Sequence, residues 1–266
     1  PPGPVDWLVC ESTYGERLHD AAALAEDELA DVIRETVERG GRVVVPAFAV
    51  GRVQELVWHL HRLYDSHRIP RVPVFVDSPM AVRATEVFRE HVECYDRQTV
   101  SEFLENGDNP FSYRALRFVI DREESKRLND YRHPCIVISS SGMCEAGRVL
   151  HHLVHVVDDP RCTILVVGFM AGNTLGRALA DRRPEVRIFG ETFRLRARVK
   201  ILNSFSAHAD RREICDWIGG LDRARLRGVF LVHGEPDAQD ALASQLLGMG
   251  IPRAEALLPG RPVALD

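Results

Sequence analysis

Three side chains that could carry chemistry lie at the ends of predicted strands, far apart along the chain. Glu11 ends the strand-like run 6–11, His208 lies between an extended run and a helix, and His233 follows the apolar run 228–232. A carboxylate and two imidazoles can exchange protons with a substrate or bind a metal ion. Either histidine alone is more often structural. All three at strand ends favour a functional site, because ligands of α/β sheets usually bind there.

The elements that position these residues alternate between short apolar strands and longer helices. Predicted strands cover 6–11, 42–46, 72–77, 135–139, 163–167, 186–189, 193–202, 228–232 and 256–258; predicted helices cover 21–39, 52–67, 80–94, 147–157, 175–181, 211–219 and 238–248. Residues 95–130 are predicted to form shorter helices and loops. This order indicates an α/β fold with a layered, largely parallel sheet and flanking helices. The pattern changes near residue 184, which predicts a domain boundary between 183 and 195.

The composition indicates a globular protein and disfavours some classes. The 266 residues carry a formal net charge of -5, which argues against a basic coat for bulk nucleic-acid binding but not against a local phosphate groove. The six cysteines include no Cys-x-x-Cys pair and suit buried, reduced thiols of a cytoplasmic protein. Neither a signal peptide nor a membrane-spanning apolar run is visible. The chain starts with proline in front of a strand, which predicts a fragment.

Seven segments of the chain resemble, in order, those of the β-CASP nucleases of the metallo-β-lactamase superfamily. Three contain the candidate residues: Glu11-Ser-Thr-Tyr-Gly-Glu-Arg-Leu-His19 resembles motif A, Ser204-Phe-Ser-Ala-His-Ala-Asp210 motif B, and Leu231-Val-His-Gly-Glu235 motif C. The others are 46–52, 76–80, 139–143 and 168–177. The resemblance spans nearly the whole chain. The family includes ribonuclease J-like enzymes, archaeal homologues and the cleavage and polyadenylation endonuclease of eukaryotes.

The resemblance implies a metallo-β-lactamase αββα sandwich that carries a β-CASP domain as an inserted cap. On that template, residues 1–20 end the first sandwich segment and residues 21–190 form the β-CASP domain. Residues 191–266 return as the C-terminal, RNA-metabolising part of the sandwich.

The resemblance also implies a role for each candidate. His233 is expected to be a zinc ligand, and His208 to be a general acid or a donor to the phosphoryl oxygens. Glu11 is expected to hydrogen-bond His208, orient its ring and raise its pKa. Two zinc ions would turn a bridging water into hydroxide.

The remaining metal ligands of the family lie before motif A. They belong to a His-x-His-x-Asp-His segment, a later histidine and a later aspartate, but only ten residues precede Glu11. The chain by itself is therefore predicted to supply one zinc ligand, to hold no zinc tightly and to leave RNA uncut.

Other histidines are interpreted as structural. His59 and His61 mimic the start of the missing segment, but residues two apart on a helix point to different faces, so both are expected to be surface or partly packed. His151 and His155 have helical metal-ligand spacing, but no carboxylate motif follows them, so they are interpreted as non-ligands.

Two strand-to-helix junctions are predicted to contact the substrate. Ser140 and Ser141 follow a strand, Arg148 begins the next helix, and Thr174 precedes another helix. Hydroxyls and backbone amides at such junctions suit an anion, although helix capping explains serine and threonine there equally well. Asn173 is expected to tolerate left-handed backbone angles.

The preferred function is part of a zinc-dependent ribonuclease that hydrolyses RNA phosphodiester bonds. His233 favours RNA, because family branches that act on DNA typically carry valine there. A non-catalytic RNA-binding or scaffold relative is the main alternative. A hydrolase of small esters is a third reading, which the long insert disfavours. RNA is the expected partner, a homodimer is considered, no membrane contact is expected, and endonuclease and 5′→3′ exonuclease action both stay open.

Overall fold

Two structural units account for residues 3–19 and 24–265, the part of the chain that this computed structural model describes. The larger unit holds residues 24–205, and the smaller combines 3–19 with 206–265. The predicted boundary at 190/191 falls before this division, between the two strands of a hairpin. The predicted boundary at 20/21 lies outside the described residues.

The strands and helices follow one another as an α/β chain. The strands are β1 (Trp7–Glu11), β2 (Val43–Pro46), β3 (Val74–Asp77), β4 (Leu116–Phe118), β5 (Ile136–Ser139), β6 (Thr163–Val166), β7 (Glu185–Ile188), β8 (Glu191–Arg194), β9 (Arg198–Ile201), β10 (Gly228–Val232) and β11 (Ala254–Ala256). The helices are α1 (Ala25–Glu38), α2 (Arg52–Asp65), α3 (Pro79–Glu90), α4 (Arg97–Glu102), α5 (Arg122–Asn129), α6 (Arg148–Val154), α7 (Leu175–Ala180), α8 (Arg211–Gly219) and α9 (Pro236–Gly248).

The larger unit is built on a parallel six-stranded sheet in the order β4-β3-β5-β2-β6-β9. Its central strands, β3, β5, β2 and β6, are buried along their whole length and mostly apolar, as expected for strands covered on both faces. Val43 and Val45 pack into one core with α1 and α2, and Val44 packs into a second core with α6 and α7. Full burial of each such side chain stabilises the fold by about 1.5–3 kcal/mol. The predicted fold class, α/β with largely parallel sheets and flanking helices, is confirmed.

The predicted strand 193–202 is wrong as a single element. Strands β7 and β8 form a separate antiparallel hairpin, with Gly190 at φ +85° in the turn between them. Leu195 N then donates to Pro184 O, and the next two amides donate to Val157 O. These hydrogen bonds interrupt the extended run, and the chain restarts as β9 beside β6.

Other differences are local. The predicted helix 80–94 ends at Glu90, followed by a 3-10 turn at Val92–Cys94. Strand β4, only three residues long and partly exposed, lies in the segment predicted to hold only helices and loops. The predicted helix 21–39 is described from Ala25 onward, and its first residues lie outside the described part of the chain. Asn173 has φ +62°, as expected.

The smaller unit is a parallel sheet in the order β1-β10-β11, packed against α8 and α9. Val229 and Leu231 point into a core with Ile218 of α8 and Leu242 of α9. The register pairs Trp7 with Gly228 and Glu11 with Val232. This register brings the carboxyl ends of β1 and β10 together.

The described helices include no candidate membrane span, because none is both long and apolar enough. All six cysteines are free; four are buried, Cys10 is half-buried and Cys94 is exposed.

Candidate active site

Glu11, His208 and His233 lie together in the smaller unit. Glu11 is opposite Val232, so His233 follows directly beside it. His208 Nδ1 lies 3.0 Å from Glu11 Oε2, and because a carboxylate only accepts, Nδ1–H is the donor. The His208 and His233 rings stack with their centroids 5.0 Å apart. Glu11 and His208 lie 197 positions apart in the sequence, yet they meet beside His233 at the carboxyl ends of β1 and β10.

Thr13 connects these three residues, although the sequence analysis did not single it out. Its Oγ1 lies 2.5 Å from Glu11 Oε2, 3.0 Å from His233 Nδ1 and 3.3 Å from His208 Nδ1. A hydroxyl has one proton, and the shortest contact is to the carboxylate, so Thr13 donates to Glu11 and accepts from His233 Nδ1–H. Its position two residues after Glu11 could have identified it, because hydroxyls often hydrogen-bond locally over that spacing. We call Glu11, Thr13, His208 and His233 the strand-end cluster.

These hydrogen bonds determine which ring nitrogen of each histidine is available to contact a substrate or a metal ion. Nδ1 of His208 and Nδ1 of His233 are both occupied within the cluster. Nε2 of each ring is therefore the nitrogen available to a substrate or a metal ion.

The backbone around His233 brings the two strands close together. Ser12 Oγ donates to Val232 O over 2.8 Å. A Cβ on Gly234 would lie 2.6 Å from Ser12 O, so only glycine permits this approach. His233 itself has φ +52°, a left-handed conformation that costs a non-glycine residue about 1–3 kcal/mol and is often found at functional sites.

The loop that carries His208 is fixed where α8 begins. Asp210 Oδ1 accepts from Glu213 N over 2.8 Å and Glu213 Oε2 accepts from Asp210 N over 2.9 Å, which together form a capping box. Asp210 Oδ2 accepts from His19 N, and His19 Nε2 donates to His208 O, both over 2.8 Å. The backbone of His208 is thereby held from motif A and from the helix cap.

Glu11 is ionised at neutral pH. Burial alone would raise its pKa, but hydrogen bonds from Thr13 and His208 more than offset burial and hold the pKa below its ordinary value. The other carboxylate oxygen, Oε1, accepts from Ala209 N over 3.1 Å. The carboxylate therefore fixes both the ring of His208 and the backbone beside it.

The donor set fits part of a zinc centre. His233 suits a metal ligand, because Thr13 fixes its Nδ1–H and its Nε2 is left to coordinate, the arrangement usual for metal-bound histidines. The potential metal-ligand group at this strand edge, as far as the structure describes the chain, contains only Glu11, His208 and His233. Because Glu11 and His208 are hydrogen-bonded to each other, His233 is the ligand best placed, and a zinc site needs two or three more.

The predicted substrate contacts lie in the larger unit, where each has a structural partner. Ser140 Oγ donates to Ser78 Oγ over 2.6 Å, and Ser141 Oγ accepts from Glu145 N over 3.1 Å. Thr174 is the N-cap of α7, since its Oγ1 accepts from the N–H three residues later. Capping thus accounts for Thr174, and a contact of these three hydroxyls with substrate stays a prediction.

Arg148 belongs to a buried group around Asp77, the last residue of β3. Asp77 Oδ1 accepts from Arg148 Nη1 over 2.7 Å, and Oδ2 accepts from His152 Nε2 and Ser125 Oγ, each over 2.6 Å. Burial alone would raise the pKa of Asp77, but hydrogen bonds from His152, Ser125 and Arg148 hold it below its ordinary value. We call these four residues the Asp77 cluster. Arg148 also donates to two backbone carbonyls, so its guanidinium is already well partnered.

The remaining histidines differ in burial. His59 is half-buried, as expected, with Nδ1 2.8 Å from Glu26 Oε1. His61 was expected to be surface or partly packed, which is wrong: it is 2% exposed, and its ring stacks on Tyr113. The helix turns it inward, onto residues far away in sequence. His151 is exposed beside Phe189.

Two family models match most of the chain. The Beta-Casp domain matches residues 53–179, and the Zn-dependent metallo-hydrolase RNA specificity domain matches residues 192–255. The second match starts next to residue 191, where the third predicted segment begins. It includes His208 and His233, and its description implies zinc dependence.

Curated relatives cover almost all of this chain. A ribonuclease of Thermus thermophilus is 39% identical over 92% of this chain and 55% of its own length. A transcription termination factor of Methanosarcina mazei is 32% identical over 91% and 39%, and an endoribonuclease of Candida glabrata is 30% identical over 93% and 32%. The chain therefore spans about half the length of the first of these relatives and less of the others.

Proposed function

The chain belongs to the β-CASP group of metallo-β-lactamase-type nucleases, and from that premise we propose that the protein is a zinc-dependent ribonuclease that hydrolyses RNA phosphodiester bonds. The observation that carries the proposal is the Glu11–His208 pair beside His233, with Nε2 of both rings left for substrate and metal. The ribonuclease and endoribonuclease named among the relatives support it.

His208 is the proposed proton donor. Glu11 and the capped loop hold its ring, so Nε2 can give a proton to the leaving oxygen of the cleaved phosphodiester or donate to a phosphoryl oxygen. A positioned general acid accelerates such a reaction by about 10²–10⁴-fold. Glu11 and Thr13 are positioning residues, because they act through the rings.

His233 is the proposed zinc ligand, through Nε2. Bound zinc supplies a hydroxide at neutral pH and neutralises phosphate charge. Two ions are proposed, as the resemblance implies. Histidine at this position, where DNA-acting branches typically have valine, supports RNA as the substrate.

Two histidine substitutions in the full-length protein test this assignment. His208→Ala should lower cleavage of a fluorescent RNA by about 10²–10⁴-fold and leave zinc content nearly unchanged. His233→Ala should lower both cleavage and zinc content. His91→Ala, at an exposed histidine paired with Glu93, is the matched control and should change neither. Full turnover in His208→Ala would show that the general-acid assignment is wrong.

A second candidate function is that of a non-catalytic RNA-binding or scaffold relative of the same family. The observation that favours it is the single suitable zinc ligand among the described residues of the strand-end cluster. In the isolated 266-residue chain, His233→Ala should therefore leave zinc content unchanged. A zinc ion that the isolated chain loses on this substitution would contradict the second candidate.

The RNA contacts of the larger unit are part of the same proposal, with Ser140, Ser141, Arg148 and Thr174 as their residues. If the Arg148 guanidinium contacts a phosphate, Arg148→Gln lowers the slope of log affinity against log salt by about one. An unchanged slope would show that Arg148 makes no phosphate contact and acts only as the ion-pair partner of Asp77. A cytoplasmic location and a homodimer stay predictions, which cell fractionation and sedimentation of the purified protein would test.

A further inference from the structure

A second group of potential metal ligands lies in the larger unit. His61, Asp65 and Asp108 offer ligand atoms within 4.8 Å of one another. His61 and Asp65 are one turn apart on α2, and Asp108 follows the 3-10 turn Leu104–Asn106. The proposed ribonuclease mechanism uses none of these residues.

The hydrogen bond of His61 selects the nitrogen that can bind a metal. His61 Nδ1 lies 3.2 Å from Pro110 O, and because a carbonyl only accepts, Nδ1–H is the donor. In the neutral ring, Nε2 then carries the lone pair. A backbone carbonyl on the other nitrogen is the usual support of a metal-bound histidine.

The distances around Nε2 suit a shared metal ion better than a direct ion pair. Asp65 Oδ2 lies 3.3 Å from Nε2, and Asp108 Oδ2 lies 3.4 Å from it. A charge-assisted hydrogen bond from nitrogen to carboxylate is about 2.7–2.9 Å long. Two ligands of a tetrahedral zinc ion, with bonds of about 2.0–2.1 Å, lie roughly 3.4 Å apart.

The negative charge of the two carboxylates favours binding of a cation. Within residues 3–19 and 24–265, the ion pairs of Asp65 and Asp108 involve only His61. Two carboxylates and a neutral imidazole sum to about −2, which matches a divalent ion. The carboxylates are partly exposed, whereas the ring is 3% exposed, so an ion can enter from the acidic side.

Aromatic rings fix the position of His61, and a backbone amide fixes one oxygen of Asp108. The His61 ring lies against Tyr113 and Phe103, with centroid distances of 4.7 and 4.9 Å. Asp108 Oδ1 accepts from Asn109 N over 2.7 Å, which leaves Oδ2 for the site.

Tyr113, whose ring stacks on His61, adds an observation that is independent of the three ligand atoms. Its hydroxyl is buried and, among the described residues, has no hydrogen-bond partner. Burial raises its pKa, and the nearby Tyr64 and Asp65 raise it further. A buried hydroxyl left without a partner near a carboxylate is where an ordered water or a hydrated ion belongs.

We propose that a divalent metal ion such as zinc binds to Nε2 of His61 and to the Oδ2 atoms of Asp65 and Asp108, with water as the fourth ligand. An ion with three protein ligands and one water is a common zinc arrangement. It would join the C-terminal end of α2 to the loop at 107–110. The site is a property of the larger unit and does not depend on the proposed cleavage.

Zinc binding to variants of the purified chain tests the site. All variants carry His233→Ala, which removes the proposed ligand of the strand-end cluster. Equilibrium dialysis should find about one zinc per chain, and Asp108→Asn or Asp65→Asn should weaken its binding by at least about tenfold. Asp31→Asn, at an exposed aspartate of α1, is the matched control and should bind like the parent. Asparagine at position 108 keeps Oδ1 for Asn109 N, so folding should be retained.

Thermal unfolding and NMR separate the proposal from its rival. Zinc should raise the melting temperature of the parent and of Asp31→Asn, but not that of Asp108→Asn. The rival is an imidazolium at His61 that bridges the two carboxylates without metal. Equal zinc affinity in Asp108→Asn and Asp31→Asn, or ¹⁵N signals showing both His61 nitrogens protonated in saturating zinc, would overturn the site.

Discussion

The strand-end cluster and the Asp77 cluster contain the same chemical pair in two environments. In each, a carboxylate ends a parallel strand and accepts a hydrogen bond from an imidazole. The Glu11 and His208 side chains are 29% and 37% exposed, whereas Asp77 and His152 are 0% and 2% exposed. Both carboxylates have lowered pKa values despite burial, which alone would raise them. The pair itself therefore does not indicate catalysis.

The two clusters differ in whether any hydrogen-bonding atom is left to contact another molecule. Asp77 is surrounded by Arg148, His152 and Ser125, so no outside molecule reaches it. A buried network of this kind stabilises only when every member is satisfied. Glu11 instead positions His208 and leaves Nε2 for another molecule. The same pair of side chains can thus stabilise the fold where it is buried, or serve the proposed chemistry where it is partly exposed.

Asp77→Asn should give the largest effect, on stability. Asparagine has one acceptor oxygen where Asp77 uses two, so its NH₂ group faces a donor of Arg148, His152 or Ser125, and the charge opposite Arg148 is lost. Removing one partner of a buried ion pair costs about 3–5 kcal/mol of unfolding free energy. Glu11→Gln should cost about 1 kcal/mol, because the site is partly exposed and the amide keeps an acceptor. Urea unfolding followed by circular dichroism measures both.

Asp121→Asn is the control for this pair of substitutions. Asp121 is the exposed N-cap of α5, and asparagine caps a helix about as well as aspartate. It should therefore change stability little. Equal losses for Asp77→Asn and Glu11→Gln would remove the distinction between the two clusters.

Thr13→Val should have a smaller effect, on turnover. The substitution keeps shape but removes the hydroxyl that fixes the His233 ring and hydrogen-bonds Glu11. RNA cleavage by the full-length protein should fall about 10–100-fold, the usual cost of losing a residue that orients a metal ligand. Thr13→Ser keeps the hydroxyl and should restore most of the activity. Full activity in Thr13→Val would show that the cluster needs no hydroxyl between its rings.

The elements that build the candidate active site could be predicted well from the sequence. The observed β10 and α8 have the predicted bounds, because an apolar strand and an amphipathic helix each end at clear polar or glycine positions. The motifs around Glu11, His208 and His233 are sufficient to predict that these three residues lie together. Parallel strands in register explain why this worked, since their carboxyl ends meet at one edge.

Features that depend on distant partners could not be predicted in this way. The break between β8 and β9 depends on the carbonyls of Pro184 and Val157. The burial of His61 depends on Tyr113 and Pro110, some fifty residues later. The partners of Arg148 likewise come from other strands and loops. Local periodicity carries no information about such contacts, which arise only when the chain has folded.

The pH dependence of stability should show the smallest effect, and it should differ between the strand-end cluster and the Asp77 cluster. Glu11 has a folded pKa below its ordinary value of 4.5, so its ionised form stabilises the fold above that pH. This contribution is lost as the pH falls through the folded pKa, because the unfolded carboxyl takes up its proton first. The stability difference between wild type and Glu11→Gln should thus be constant from pH 7 to about 5.5 and shrink below about pH 4.5.

The difference for Asp77→Asn should persist to lower pH, because the ordinary pKa of an aspartate is 3.8 and that of Asp77 is also lowered. A Glu11→Gln difference that grows on acidification would mean that the protonated carboxyl, rather than the carboxylate, is the form that the strand-end cluster holds.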